Sequence, residues 1–255
     1  MKKERRKKTM RILAFIVALV IIQTLPIFFL KPMGYETMAD ENIQMYYAPG
    51  EQKGAEEVFE LLQLKSSEIK EKMNMEIDEP TKVYIYKTQN QLALREAGFI
   101  TLTFAPSWHI GDSHNGNIMM VSPYTKVKGH TYESILNATL HELVHAINYQ
   151  INPKMSYFWD NGLATYLSNQ KPDESELISH NIPTFKQMQT NNGLEFGNMG
   201  GYAYSYSYIE YLDETYGWDK VLAFASGGKS YNDVFGKSEL EVYNDWCNFC
   251  RASSF

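Results

Sequence analysis

The pattern of apolar and polar positions divides the chain into three stretches with different periods. The first is residues 12–30, 19 residues without a charge, interrupted only by Gln23, Thr24 and Pro26. The second, 42–121, holds short strand-like runs among helical ones. Residues 42–48 are rich in apolar and aromatic side chains and stop at the turn Pro49-Gly50. Residues 82–86 alternate, with Val83 and Ile85 on one side, and 118–121 form a short apolar run closed by Ser122-Pro123. Between the first two, Val58, Leu61, Leu62, Leu64 and Ile69 recur near helical spacing over 54–73, which predicts a surface helix with one buried face. A short helix is expected at 90–97, then a loop-rich segment at 98–117 that leads into the strand 118–121, read as a sheet edge near the functional site.

From residue 131 onward the period is helical. Thr131 is placed as the N-cap of a helix running to residue 150, with Glu133 in its first turn and Ile135, Leu136, Leu140, Leu143, Val144 and Ile147 as core contacts. Further helices are expected at 159–169, 184–190, 202–216, 218–225 and 238–249, separated by turns bearing glycine or proline. The resulting class is α+β, with a small strand-bearing N-terminal lobe and a mainly helical C-terminal lobe.

Charge changes the reading of the first stretch. Residues 1–11 are crowded with lysine and arginine, and the 19-residue apolar run that follows is long enough to span a bilayer. The positive-inside rule keeps residues 1–11 in the cytoplasm as a basic flank. It makes 12–30 a single-pass signal-anchor, 31–41 a linker and 42–255 an extracytoplasmic domain. A cleaved signal peptide, giving a secreted protein, is the competing reading, although no small-x-small site closely follows the apolar run. Beyond residue 31 the chain carries 16 basic and 29 acidic side chains, a net charge near −13. Such a surface repels phosphates and has no basic stripe with interleaved aromatics, so nucleic acid is excluded as a partner. The sequence leaves the oligomeric state open.

Chemistry concentrates at His141-Glu142-Leu143-Val144-His145. Two imidazoles four residues apart lie on one helix face and can bind one Zn²⁺, while the intervening carboxylate points about 100° round the helix, where a base for the metal-bound water belongs. With six His and 21 Glu in 255 residues, a chance match is on the order of 1%. Cys247 and Cys250, spaced C-x-x-C, are too few for a tetrahedral zinc site; they are expected as a local disulfide or as free buried thiols.

The segment Phe158-Trp159-Asp160-Asn161-Gly162-Leu163-Ala164-Thr165-Tyr166, taken with HELVH and the later tyrosine-rich 202–212, resembles the gluzincin zinc metallopeptidases of the peptidase MA-like group. In that group the HExxH helix is followed by W-x-x-E-G-[LI]-A-x-Y, whose Glu is the third zinc ligand, and then by a tyrosine-bearing helix. Gly162, Leu163, Ala164 and Tyr166 match, Phe158 stands at the aromatic position, and Asn161 stands where the glutamate is expected. The resemblance implies a zincin-like fold, a Zn²⁺ cofactor and a peptide or protein substrate. It implies His141 and His145 as metal ligands, with Asp160, as in the aspzincin relatives, or Asn161 as the third. Glu142 is then the general base for zinc-bound water and Tyr202 the oxyanion donor, with Tyr204 and Tyr206 close by. Asp160 is alternatively a helix cap. His109, His130 and His180 stand as weaker candidates. Because Asn161 replaces the ligand glutamate, a catalytically weak or inactive peptide-binding module is the alternative to an active hydrolase.

Overall fold

The computed structural model describes residues 2–75, 80–173, 175, 177 and 180–253. The chain divides into two compact units, Met1–Glu60 with Pro80–Leu136 and Leu61–Glu79 with Asn137–Phe255.

The first unit holds α1 (Lys2–Thr24), a short 3₁₀ turn at Leu25–Phe28 and a five-stranded mixed sheet. Its strands are β1 (Glu36–Ala39), β2 (Ile43–Tyr47), β3 (Thr81–Tyr86), β4 (Gly111–His114) and β5 (Asn117–Val121), in the order β1-β2-β3-β5-β4. The inner pairs β2/β3 and β3/β5 are parallel, and the outer pairs β1/β2 and β4/β5 are antiparallel. Parallel strands are buried on both faces, which is why β3 and β5 read as nearly continuous apolar runs: Val83, Ile85, Tyr86 and Ile118 to Val121 are all fully buried. This places β5 inside the sheet; the edge belongs to β4, so the expectation of an edge strand at 118–121 is corrected. β1 likewise occupies residues read as linker. Both β1 and β4 are four-residue strands with little apolar alternation, and their cross-strand partners define them more than their own sequence does.

The helices α2 (Gln52–Lys72) and α5 (Tyr132–Ile151) contribute residues to both units, while α3 (Gln89–Ala97) and α4 (Thr101–Phe104) belong to the first. On α2, Ala55, Val58, Leu62, Ile69 and Met73, just past its end, are buried, whereas Leu64 is 74% exposed and lies off that face. Thr131 does cap α5: its Oγ1 accepts from Ser134 N at 3.2 Å, and Ser134 Oγ accepts from Thr131 N at 2.9 Å.

The second unit is helical among its described residues. It contains the bulk of α5, then α6 (Tyr157–Leu167), a 3₁₀ turn at Gln187–Gln189, α7 (Gly193–Asn198), α8 (Gly201–Tyr216), α9 (Trp218–Ala225), α10 (Tyr231–Phe235) and α11 (Glu239–Ser253). Of the helix expected at 184–190 only the 3₁₀ turn forms. The short α7 and α10 lie in segments without a full helical repeat; Asn192 and Ser230 cap them, the latter through a reciprocal capping box with Asp233. An aromatic cluster fills the core, in which Phe158, Tyr208 and Trp246 meet edge to face with centroids 5.3–6.1 Å apart. Both of its buried indole nitrogens, those of Trp159 and Trp246, are paired: Trp159 Nε1 donates to Tyr231 Oη at 2.8 Å, and Trp246 Nε1 donates to Ser207 Oγ at 3.0 Å.

Helix α6 packs closely on α8, and Gly162 permits the approach. A Cβ at that position would meet Ser205 O and Ile209 Cγ1, both at 2.8 Å. Four residues on, Tyr166 Oη donates to Asp213 Oδ2 at 2.7 Å and fixes the same pair one turn further. Gly162→Ala should therefore destabilise the protein by about 1–2 kcal/mol, because overpacking against a backbone carbonyl outweighs the gain in helix propensity. Thermal unfolding should show a Tm lower by roughly 2–8 °C; an unchanged or raised Tm would mean that the helices can part without cost.

Candidate metal centre

The site is built from the second unit alone. On α5, His141 and Glu142 are buried, and His145 follows one turn later on the same face. Their Nε2 atoms approach to 2.9 Å, with the rings 76° apart. Each ring has an oxygen at its other nitrogen. His141 Nδ1 lies 3.1 Å from Gln170 Oε1, just past the C-terminus of α6. His145 Nδ1 lies 2.9 Å from Asp160 Oδ1, an ion-pair distance out of line for a straight hydrogen bond. An amide oxygen accepts but does not donate, so the Gln170 contact favours, for His141, the tautomer with the proton on Nδ1 and the lone pair on Nε2. That lone pair faces His145 Nε2 at 2.9 Å, where it can accept a hydrogen bond or share a cation. Two imidazoles with an oxygen beside each Nδ1 form a donor set that suits zinc.

Burial acts in the same direction. Desolvation, followed by the neighbouring His145, holds the His141 pKa well below the usual imidazole value, which keeps its lone pair available at neutral pH; Gln170 opposes this more weakly.

Asp160 sits in the first turn of α6 but does not cap it; Ser156 is the N-cap, its Oγ accepting from Trp159 N. That corrects the cap reading. The Asp160 carboxylate faces Nδ1 of His145, on the opposite side of the ring from the Nε2 meeting point. The contact the structure gives this carboxylate oxygen is therefore with Nδ1 of His145. Asn148, close to one turn beyond His145 on α5, donates Nδ2 to Asp160 Oδ1 at 2.7 Å and fixes the carboxylate. Asn161, 2% exposed, donates Nδ2 to Tyr157 O at 2.9 Å. Among the described residues no group of three or more His, Cys, Asp or Glu side chains is assembled for a metal. Asn161 is the amide at the position where the resemblance expects a ligand.

Of the three candidate tyrosines at the start of α8, Tyr202 has its ring by the histidines, 6.2 Å from His141. Burial, then Tyr157 and Glu142 nearby, push its phenol well above the usual range, so it stays protonated and able to donate. Its ring nonetheless retains 39% exposure, which suits a group reached from solvent. Tyr204 turns away, its hydroxyl against the carbonyl oxygens of Leu177 and His180 at 2.8 Å, and Tyr206 packs on Tyr166. The other histidines are placed elsewhere. His109 pairs with Glu96 in the first unit, His130 Nδ1 lies 3.2 Å from Ser134 Oγ, and His180 backs onto Gly200.

Sequence reasoning missed Asn148, Gln170 and Tyr157. The spacing of Asn148 from His145 was a usable signal; Gln170 and Tyr157 gave none, because tertiary packing alone brings them in. A cleft of about 630 Å³ near the start of α6, bordered by Asn152, Trp159, Phe224 and Tyr231, is not lined by His141, Glu142 or His145. Cys247 and Cys250 are both thiols, with no disulfide between them. Burial pushes Cys250 up to about 11, offset in part by Ser207, whose Oγ is 3.3 Å away.

Ellman's reagent at pH 8 should accordingly react with the folded protein at least about tenfold more slowly than with the denatured chain. A folded thiol whose pKa is raised above its unfolded value contributes stability that is present below about pH 9 and lost as pH rises through about 11. Cys250→Ser should flatten that part of a stability–pH curve, and equal thiol reactivity in both states would contradict the burial.

No family model, no curated protein and no solved structure matches this chain.

Proposed function

We propose that this chain is a membrane-anchored zinc metallopeptidase of the gluzincin, peptidase MA-like type, with a zincin-like catalytic domain acting on peptides outside the membrane. The observation that carries it is the meeting of His141 Nε2 and His145 Nε2 at 2.9 Å beside a buried Glu142, with both Nδ1 atoms next to oxygen acceptors. His141 and His145 would hold the cation, Asn161 would offer its amide oxygen in place of the family's glutamate, and Asp160 with Asn148 would steady His145. When bound, zinc supplies Lewis-acid polarisation of water and of the scissile carbonyl. Glu142 takes the proton of the attacking water and returns it to the departing amine nitrogen. Tyr202 donates its phenolic proton in a hydrogen bond to the oxyanion that develops on the carbonyl.

Anchoring is supported by the stretch Glu4–Phe28, long and apolar enough to cross a bilayer, with none of its apolar window buried. The basic flank would remain cytoplasmic and the acidic domain outside. A second reading, a peptide-binding module with little activity, is favoured by the lack among the described residues of a third His, Cys, Asp or Glu donor.

Zinc content and peptide hydrolysis by the purified full chain separate the two. The active reading expects one zinc per chain, retained with loss of hydrolysis in Glu142→Gln and lost in His145→Ala. It expects zinc affinity about 10–100-fold weaker in Asp160→Ala, and tighter in Asn161→Glu, which restores a charged ligand. No zinc in the parent protein would sink the enzyme reading; zinc without Glu142-dependent hydrolysis would favour the binding module.

A further inference from the structure

The segment following α3 is unlike the rest of the domain in two respects. From Ala97 to Gly111 it holds no Asp, Glu, Lys or Arg, in a region whose net charge is strongly negative. It also turns large apolar side chains outward: Phe99, Ile100 (56% exposed), Leu102, Phe104 (75%) and Trp108. Scattered apolar exposure is ordinary, but five such side chains within ten residues form a patch that needs a partner.

The end of α1 identifies that partner. Gln23 Nε2 donates to Ala97 O at 2.8 Å, Ile100 N donates to Gln23 Oε1 at 2.9 Å, and Phe99 N donates to Gln23 O at 3.2 Å. Gln23 is a polar residue within the apolar run, so the segment meets α1 inside that run. It lies five residues before Phe28, where the apolar helix ends. One α-helical step and four 3₁₀ steps put this roughly 9 Å below the end of the span, within the 5–10 Å to which interfacial helices sink. A glutamine at this depth needs its amide satisfied, and these contacts do so. The segment's own backbone meets the same demand. Thr101 N, Leu102 N, Thr103 N and Ala105 N donate to Gly98 O, Phe99 O, Ile100 O and Thr101 O, and Thr101 Oγ1 lies 2.5 Å from the carbonyl oxygens of Ala93 and Gly98. Internal satisfaction of this kind is what lipid requires of a backbone. Gly98, at φ +81°, allows the approach, since a Cβ there would overlap the carbonyl oxygen of Gln23.

We propose that residues 98–108 form a second membrane contact, a foot beside α1 that inserts Phe99, Ile100, Leu102 and Phe104 into the outer leaflet, with Trp108 at the headgroup level. The occupant is lipid because the patch is joined to the apolar helix through Gln23 and adds to that helix's exposed apolar surface. Two attachments would restrain how the first unit tilts about α1, which a single helix leaves free to swivel. The foot depends on α1 being retained as an anchor.

The test reconstitutes the full chain into phosphatidylcholine vesicles. Flotation after alkaline carbonate reports anchoring. Leu102→Cys and Phe104→Cys are then treated with a bilayer-impermeant maleimide, with Leu64→Cys as an exposed control; the native thiols give little background. Co-flotation with labelling at least about tenfold slower than the control is the expected result. Co-flotation with labelling equal to the control overturns the foot and spares the anchor, whereas failure to float overturns both. Protection that vanishes when the protein is diluted to one chain per vesicle assigns the patch to a second copy and overturns the lipid reading. A measurement that leaves the foot's fold intact is quenching of tryptophan emission by brominated acyl chains: the parent should be quenched more than Trp108→Phe, and equal quenching would refute insertion.

Discussion

Two imidazole Nε2 atoms held 2.9 Å apart on α5 are the contact on which the candidate site depends. Such a meeting costs both nitrogens hydration, which a hydrogen bond between them or a shared cation offsets. It follows from α5, whose period puts positions four apart on one face, and from Gln170 and Asp160, which engage the Nδ1 side of each ring. His141 is kept neutral by burial, so the lone pair is directed inward without competition from a proton at physiological pH.

That constraint is transmitted by packing. Asp160 and Asn161 are positioned by α6, and α6 is positioned by its contact with α8, where Gly162 admits the Ser205 carbonyl and Tyr166 ties to Asp213. The motif residues therefore divide into two kinds. Gly162 and Tyr166 seat the helix, and Asp160, just before Gly162, faces His145. Asn161, between Asp160 and Gly162, is buried and donates to Tyr157 O within the same helix.

The sheet and the helical unit follow different rules of legibility. β3 and β5 could be found from sequence because burial on both faces demands apolar runs, but the position of β5 inside the sheet could not, since that depends on β4 pairing beyond it. β4, with no apolar alternation in Gly111–His114, carries no signal of its own and becomes a strand through the register Gly111 to Met120 and Asp112 to Met119. The helix expected at 184–190 shrinks to a 3₁₀ turn because only Met188 is buried there, too little apolar surface to hold a longer helix.

The amino-acid sequence alone determined what is local: the apolar run of α1, the capped α5 with His141, Glu142 and His145 on defined faces, and the acidity of everything beyond residue 31. These follow from periodicity, capping chemistry and charge, which need no knowledge of neighbours. Tertiary structure decided the rest. It set Asp160 against His145 Nδ1, put the ring of Tyr202 rather than Tyr204 or Tyr206 beside His141, brought in Asn148 and Gln170, and set residues 98–101 against Gln23. Each of these depends on which side of a residue meets a distant segment, and a contact between residues tens of positions apart is fixed by packing and hydrogen-bond satisfaction across the whole fold.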